Sequence, residues 1–153
     1  MKLLTVCLGN ICRSPMAEGA LRARLDGAGL DWVQTDSAGT GGWHAGEAPD
    51  RRAIACARSH GVDIARLRAR KLKAGDFEHF DWLLCADAQN LRDARGIAPA
   101  GLADKAILLL DWSGIESDGE VADPYYGDAS DFERTWTQVD AAARRIVSRI
   151  RSS

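Results

Sequence analysis

The sequence has few of the features that mark membrane, secreted or zinc-binding proteins. Its longest apolar run, residues 106–110, is far shorter than the ~18–20 residues of a membrane-spanning helix, so we expect no membrane association. The first residues, MKLLTVCLGN, do not have the layout of a secretory signal. The four cysteines include no CxxC pair and are too few for a disulfide scaffold. We therefore expect a protein of the reducing cytoplasm without structural zinc.

The chain also has no excess of charge of either sign. Its 20 basic and 22 acidic residues leave a formal net charge of −2, whereas a general nucleic-acid binder carries a strong basic excess. The 46% hydrophobic and 27% charged residues are typical of a soluble globular protein. The length of 153 residues suits one domain, so we predict a single domain over 1–153, as a monomer or weak homodimer.

Strand-length apolar runs alternate with segments of helical period. We predict strands over residues 2–7, 31–36, 81–86 and 105–110. Helices are predicted from an N-cap at Ser14, over 50–60, over 88–95, and from a capping box at Ser130 and Glu133 onward. Residues 37–49, which are rich in glycine, are predicted to be a loop.

This alternation predicts an α/β domain with a four-stranded parallel sheet and helices on both faces. We expect the flavodoxin-like strand order 2-1-3-4. In such a sheet a ligand binds at the carboxyl ends of the strands, where the strand order reverses. The loop after the first strand lies at that edge.

That loop, with the sequence CLGNICRSP over residues 7–15, has the composition of an anion cradle. Its backbone N–H groups can point inward, and the helix that follows adds the positive end of its dipole. Gly9 and Asn10 are residue types that tolerate positive φ, which a tight cradle needs. Arg13 offers two parallel donors to phosphate oxygens.

Cys7 stands at the entrance of this cradle. The groups that bind an anion also favour the thiolate, and Ser14 is placed to donate a hydrogen bond to the sulfur. We therefore interpret Cys7 as a nucleophile aimed at a bound tetrahedral anion. The alternative is a buried cysteine at the end of a strand, beside an ordinary turn.

Three motifs in order resemble the low-molecular-weight protein tyrosine phosphatases. They are CLGNICRSP at 7–15, DSAGT at 36–40 and DPYYG at 123–127, and the similarity extends over nearly the whole chain. The resemblance implies that Cys7 attacks phosphorus and forms a phosphocysteine. It also implies that Arg13 clamps the phosphate, while Asp123 protonates the leaving phenolate and then activates water. No metal or other cofactor is implied.

The resemblance further implies a phosphotyrosine-containing protein or peptide as substrate, with phosphate and vanadate as inhibitory anions. The residues it assigns to substrate binding are Leu8, Gly9, Asn10, Ile11, Cys12, Ser14, Trp43, Tyr125 and Tyr126. Asn10, Ser14 and Ser37 match the polar network that supports the loop. The family often has a histidine near position 66, where this chain has Arg66.

Cys12 has two interpretations. The resemblance implies that it protects Cys7 by forming a reversible disulfide, and the alternative is a small side chain packed under the loop. Two alternatives to the phosphatase also remain at this point. One is a thiol-dependent arsenate reductase on the same fold, and the other is a non-catalytic module that binds phosphopeptides.

Overall fold

A four-stranded parallel sheet in the order β2-β1-β3-β4 forms the centre of the computed structural model, which describes residues 1–153. The strands are β1 (Lys2–Cys7), β2 (Gln34–Gly39), β3 (Trp82–Cys85) and β4 (Ala106–Leu108). The helices are α1 (Arg13–Gly27), α2 (Arg51–Ser59), α3 (Asp76–His79), α4 (Ala88–Gly96), α5 (Leu109–Ser113) and α6 (Ala129–Ser152). A 3₁₀ turn, Ala103–Lys105, precedes β4. The predicted α/β class and strand order 2-1-3-4 are confirmed.

The strand register places Cys7 at the switch point of the sheet. Central strand β1 pairs with β2 along its whole length, ending with Cys7 opposite Gly39. On its other side β1 pairs with β3, where Val6 lies opposite Cys85. The loop that leaves β1 therefore emerges between two neighbouring strands, which is where parallel sheets bind ligands.

Both faces of the sheet are covered, as predicted. Alternate β1 residues point to opposite sides, so Leu3 belongs to a core cluster of 26 buried residues and Leu4 to a second cluster of ten. The larger cluster contains the apolar stripe of α6, and the smaller contains Phe77 of α3. The predicted stripe is confirmed, because all of its members are buried: Trp136, Val139, Ala143, Ile146, Val147 and Ile150.

Two predicted strands have wrong boundaries. Strand β2 covers Gln34–Gly39 instead of 31–36, so the first three residues of the predicted loop belong to the sheet. Pairing along the whole of β1 decides this register, and local composition does not reveal it. Strand β4 ends at Leu108, and the remainder of its apolar run begins α5. A short, continuous apolar run does not distinguish a strand from a buried helix.

The predicted caps of α1 and α6 are also wrong. Helix α1 has Cys12 at its N-cap with no side-chain cap hydrogen bond, and Ser14 lies inside the helix. Helix α6 has a capping box formed by Asp128 and Asp131 in place of Ser130 and Glu133. Helix α2, with Asp50 as its N-cap, and α4 agree with the prediction to within one residue.

None of the helices combines the length and the apolar character needed to cross a membrane.

Candidate active site

The loop between β1 and α1 turns back on itself at Asn10. This residue has a φ of 58° and is the only residue other than glycine in the left-handed region. Gly9, which was predicted to share that role, does not have a positive φ. Its lack of a side chain matters for space instead, because a Cβ at Gly9 would lie 3.1 Å from Cδ2 of His44.

A buried polar network holds Asn10 in this conformation. Its Nδ2 donates to Ser14 Oγ at 2.8 Å and to Ser37 Oγ at 3.0 Å. Its Oδ1 accepts the backbone N–H of Arg70 at 3.0 Å. The structure thus brings together the three residues predicted to support the loop. Arg66 is exposed, and the third hydrogen bond of the Asn10 side chain comes from the Arg70 backbone.

Glu18 extends this network and was not anticipated from the sequence. Its carboxylate accepts a 2.7 Å hydrogen bond from Ser37 Oγ and also pairs with Arg22, although the residue is only 2% exposed. Burial raises the pKa of Glu18, and the contacts with Ser37 and Arg22 oppose that rise. Its spacing was a usable signal, because Glu18 follows Ser14 by four residues and shares its helix face.

Cys7 lies beneath the loop, with its Sγ 3.0 Å from Ser14 Oγ. The other three cysteines are also buried. Burial, with nearby acidic groups, raises the pKa of Cys12 well above its ordinary value. Burial likewise raises the pKa of Cys56 and of Cys85 to about 12. All four cysteines are free of disulfides.

Arg13 is clamped beside Cys7 by acidic and carbonyl oxygens. Its Nη1 donates to Asp87 Oδ2 at 2.7 Å and to the Val121 carbonyl at 3.3 Å, and its Nη2 lies 3.7 Å from Asp123 Oδ2. Burial by itself would lower the pKa of Arg13, but Cys7, Asp87 and Asp123 together raise it. A cation is therefore fixed at the floor of the site.

Asp87 is the second site residue that sequence reasoning missed. It follows the end of β3, at the same edge of the sheet as Cys7, and this position was the available signal. Its Oδ1 also accepts the backbone N–H of Asn90 at 2.7 Å, as the N-cap of α4. One carboxylate thus begins a helix and orients the Arg13 guanidinium.

Asp123 stands at the opening of the same cavity. Its side chain is 49% exposed, and its Oδ1 accepts the backbone N–H of Tyr125 at 3.2 Å. That contact is the turn expected of an Asp-Pro sequence. Asp123 can form this turn and still face the candidate site, because its other carboxylate oxygen, Oδ2, lies toward Arg13.

A cavity of about 250 Å³ joins these groups. It is lined by Cys7, Leu8, Gly9, Ile11, Cys12, Arg13, Trp43, His44, Asp123, Tyr125 and Tyr126. The lining includes all the predicted pocket residues except Asn10 and Ser14, which lie buried beneath the loop. Trp43 and Tyr126 are 70% and 96% exposed, so the aromatic walls stand open to solvent.

Arg52, a third residue missed from the sequence, holds the segment that carries Asp123. Its Nη2 donates to the Tyr125 carbonyl at 3.0 Å, and its guanidinium carbon lies 4.7 Å from the ring centroid of Phe132 and 5.6 Å from that of Tyr125. Asp50 holds the other side of the guanidinium, through contacts of 3.1 and 3.0 Å. Nothing local in the sequence links residue 52 to residue 125.

Comparisons with known proteins give a consistent family for the whole chain. The family model described as "Low molecular weight phosphotyrosine protein phosphatase" matches residues 2–153. The chain is 42% identical over 150 residues to a low molecular weight protein-tyrosine-phosphatase of Streptomyces coelicolor, covering 95% of this chain and 91% of that protein. It is 39% identical over 141 residues to a low molecular weight phosphotyrosine protein phosphatase of Schizosaccharomyces pombe, covering 91% of this chain and 90% of that protein.

Among solved structures, a protein tyrosine phosphatase from Entamoeba histolytica with Hepes in its active site superposes with a TM-score of 0.93. The two chains are 31% identical, and the match covers 99% of this chain and 97% of that one. Fold and sequence similarity therefore extend over the same residues.

Proposed function

Because the chain belongs to the low molecular weight phosphotyrosine protein phosphatase family and is an enzyme of that class, we propose that it hydrolyses protein phosphotyrosine through a phosphocysteine at Cys7. Small aryl phosphates are proposed as further substrates. The observation that supports this mechanism best is that Cys7, Arg13 and Asp123 line one cavity. A nucleophile, a fixed cation and an acid are thereby brought to the same substrate.

In the first step the phosphate binds against the loop. Arg13 and the backbone N–H groups of residues 8–13 hold the equatorial oxygens, and this charge stabilisation takes the place of a metal ion. The Cys7 sulfur attacks phosphorus, the P–O bond to the tyrosine ring breaks, and a thiophosphate ester remains. Ser14 orients the sulfur from 3.0 Å away.

Asp123 is proposed to act in both steps. It protonates the leaving phenolate, because an unprotonated phenolate leaves poorly, and it then removes a proton from the water that cleaves the thiophosphate. Its half-exposed position at the cavity opening allows it to exchange protons with solvent between the steps. The Arg52 contacts keep this segment in place.

The aromatic walls favour a phosphorylated tyrosine in a protein or peptide. Trp43 and Tyr125 border the cavity, and flat aromatic faces suit the phenyl ring of such a substrate. Phosphate and vanadate are proposed to inhibit by occupying the same cradle. We place the reaction in the cytoplasm, where Cys7 stays reduced.

The alternatives receive less support. An arsenate reductase is not favoured, because the family model and the relatives are phosphatases. A disulfide relay would need a further thiol beside Cys7 and Cys12, but Cys56 and Cys85 lie on α2 and inside β3, and neither lines the cavity. A non-catalytic phosphopeptide module does not require an acid at the position of Asp123.

The test is to replace Cys7 with serine. We expect Cys7→Ser to abolish turnover of p-nitrophenyl phosphate while retaining phosphate binding, measured by calorimetry, because the amides and Arg13 remain. A matched Cys85→Ala variant should keep its activity. Full activity in Cys7→Ser would refute the mechanism.

A further inference from the structure

A second group of chemically capable side chains lies where α2 packs against α6. Cys56 and His60 stand one turn apart at the end of α2, and Glu133 faces them from α6. The thiol, imidazole and carboxylate atoms all lie within 4.8 Å of one another. None of the three residues lines the active-site cavity, and no step of the proposed reaction uses them.

The distances within this group are close to those of a zinc site. His60 Nε2 lies 2.8 and 3.1 Å from the two Glu133 oxygens, and Cys56 Sγ lies 3.4 Å from Oε1. Zinc bonds of ~2.0–2.3 Å in a tetrahedral site separate neighbouring ligand atoms by roughly 3.3–3.6 Å. Side-chain shifts of about 1 Å would therefore suffice to admit the ion.

The surroundings hold the ligands in place and leave an entry path. The spacing of four residues puts Cys56 and His60 on one face of the helix. Trp136, which is buried, stacks on the His60 ring at 5.2 Å between centroids and 14° between planes. Cys56 is 8% exposed, whereas the side chains of His60 and Glu133 are 39% and 49% exposed. One side of the group is thus shielded and the other is open to solvent.

We propose that Cys56, His60 and Glu133 bind one Zn²⁺ ion, with water as the fourth ligand. A thiolate with an imidazole selects zinc over Mg²⁺ and Ca²⁺, which prefer oxygen ligands. Binding displaces the thiol proton that Cys56 donates to Glu133, and this proton passes to solvent. The ion bridges α2 to α6, so it stabilises the fold and takes no part in phosphate hydrolysis.

Without a metal, the same residues form a hydrogen-bonded cluster between the two helices, and this is the competing explanation. The spacing rules for zinc fingers do not detect the group, because Glu133 is 77 residues from Cys56 along the chain. Only the packing of α6 onto α2 brings it near.

The experiment measures Zn²⁺ binding to the full chain by calorimetry and chelator competition. It uses a Cys7→Ser/Cys12→Ser background, so that the active-site thiols do not bind the ion. We expect one Zn²⁺ per chain, affinity at least about 10-fold weaker in Cys56→Ala and in His60→Ala, and no effect of Mg²⁺. With free Zn²⁺ at about 100 times Kd, the melting temperature should rise by about 5–10 °C.

Cys85→Ala and His79→Ala serve as matched controls and should bind Zn²⁺ like the background. Cobalt substitution gives a readout independent of folding, since a Cys56–Co²⁺ bond produces a thiolate charge-transfer band that Cys56→Ala lacks. The proposal is overturned if Zn²⁺ does not bind at micromolar concentrations. It is equally overturned if Cys56→Ala and His60→Ala bind as tightly as the controls.

Discussion

The Arg13 guanidinium lies 2.7 Å from Asp87 Oδ2, a contact that joins residues 74 positions apart. Asp87 holds one edge of the guanidinium, which leaves the other nitrogens facing the cavity and Asp123. We therefore propose Asp87 as a positioning residue for Arg13, and its carboxylate charge contributes to the raised pKa of the guanidinium.

Replacing Asp87 with asparagine tests this role. Asparagine is also a good N-cap, so α4 should keep its start while Arg13 loses its charged partner. We expect kcat/KM to fall about 10-fold, which corresponds to ~1.4 kcal/mol, with weaker vanadate inhibition. Asp128→Asn, at the N-cap of α6, is the matched control. A loss of thermal stability with unchanged vanadate affinity would contradict the assignment.

Asp123→Asn should slow the enzyme according to the leaving group. The variant cannot protonate a phenolate, so turnover of phenyl phosphate should drop by about 10²–10³-fold. Turnover of p-nitrophenyl phosphate should drop far less, because p-nitrophenolate is a good leaving group without protonation. Steady-state kinetics over a series of substituted phenyl phosphates measures this trend, and Asp118→Asn is the control on a neighbouring exposed carboxylate. Equal losses across the series would remove Asp123 as the acid.

Arg52→Lys should reproduce this leaving-group trend in a weaker form. Lysine keeps the charge but loses the planar contacts with the Tyr125 carbonyl and the Phe132 ring, so the Asp123 segment becomes less well placed. We expect kcat for phenyl phosphate to fall by about 10-fold, with little change in KM for p-nitrophenyl phosphate. Arg58→Lys on the same helix is the control. If all substrates lose activity equally, Arg52 acts on stability alone.

We propose that Cys12 protects Cys7 from irreversible oxidation. Both thiols are buried beside the same cavity. Peroxide converts Cys7 to a sulfenic acid, and attack by Cys12 then forms the disulfide and releases water. In Cys12→Ser, peroxide should drive Cys7 to the sulfinic acid, so dithiothreitol recovers less than about a tenth of the activity. The wild type and Cys85→Ala should recover most of it. Full recovery in Cys12→Ser would leave Cys12 as a packing residue.

Glu18 makes a prediction about stability and pH. Burial raises its pKa above the ordinary 4.5, so the folded protein keeps this proton to higher pH than the unfolded chain does. The contribution of Glu18 to the free energy of unfolding therefore falls as the pH rises above 4.5. Glutamine does not titrate, so Glu18→Gln lacks this pH dependence. The free energy of unfolding of the variant minus that of the wild type should therefore increase from about pH 4 to about pH 7.

Urea unfolding across that pH range measures the difference, with Glu78→Gln on an exposed position as the control. Glutamine can still accept the hydrogen bond from Ser37, so the network that holds Asn10 is retained. A pH-independent difference between Glu18→Gln and wild type would show that the carboxyl group has an ordinary pKa.

Much of the candidate site could be predicted from the sequence because its residues lie within one short loop. Cys7, Asn10, Arg13 and Ser14 lie within eight residues, so residue type and spacing were enough to predict the cradle. The prediction of Ser14 as the N-cap of α1 was wrong for a related reason. Ser14 has a tertiary partner, the Cys7 sulfur, and local helix rules take no account of it.

The residues that were missed act across long separations. Asp87, Glu18 and Arg52 reach their partners only after the sheet, α1 and α2 have packed together. Each one had a local role that explained it equally well, as a helix cap or as a charge on a helix surface. Periodicity and propensity report on neighbours within a few residues, so they do not choose between such roles.

The sequence by itself determined the alternation of strands and helices and the loop that begins at Cys7, since these follow from periodicity and short-range chemistry. Tertiary structure alone decided the β2 register, the clamp on Arg13 and the grouping of Cys56 with Glu133. The physical reason is that hydrophobic burial is non-directional. It drives the layers together, and which polar atoms then meet depends on the detailed packing of helices on the sheet.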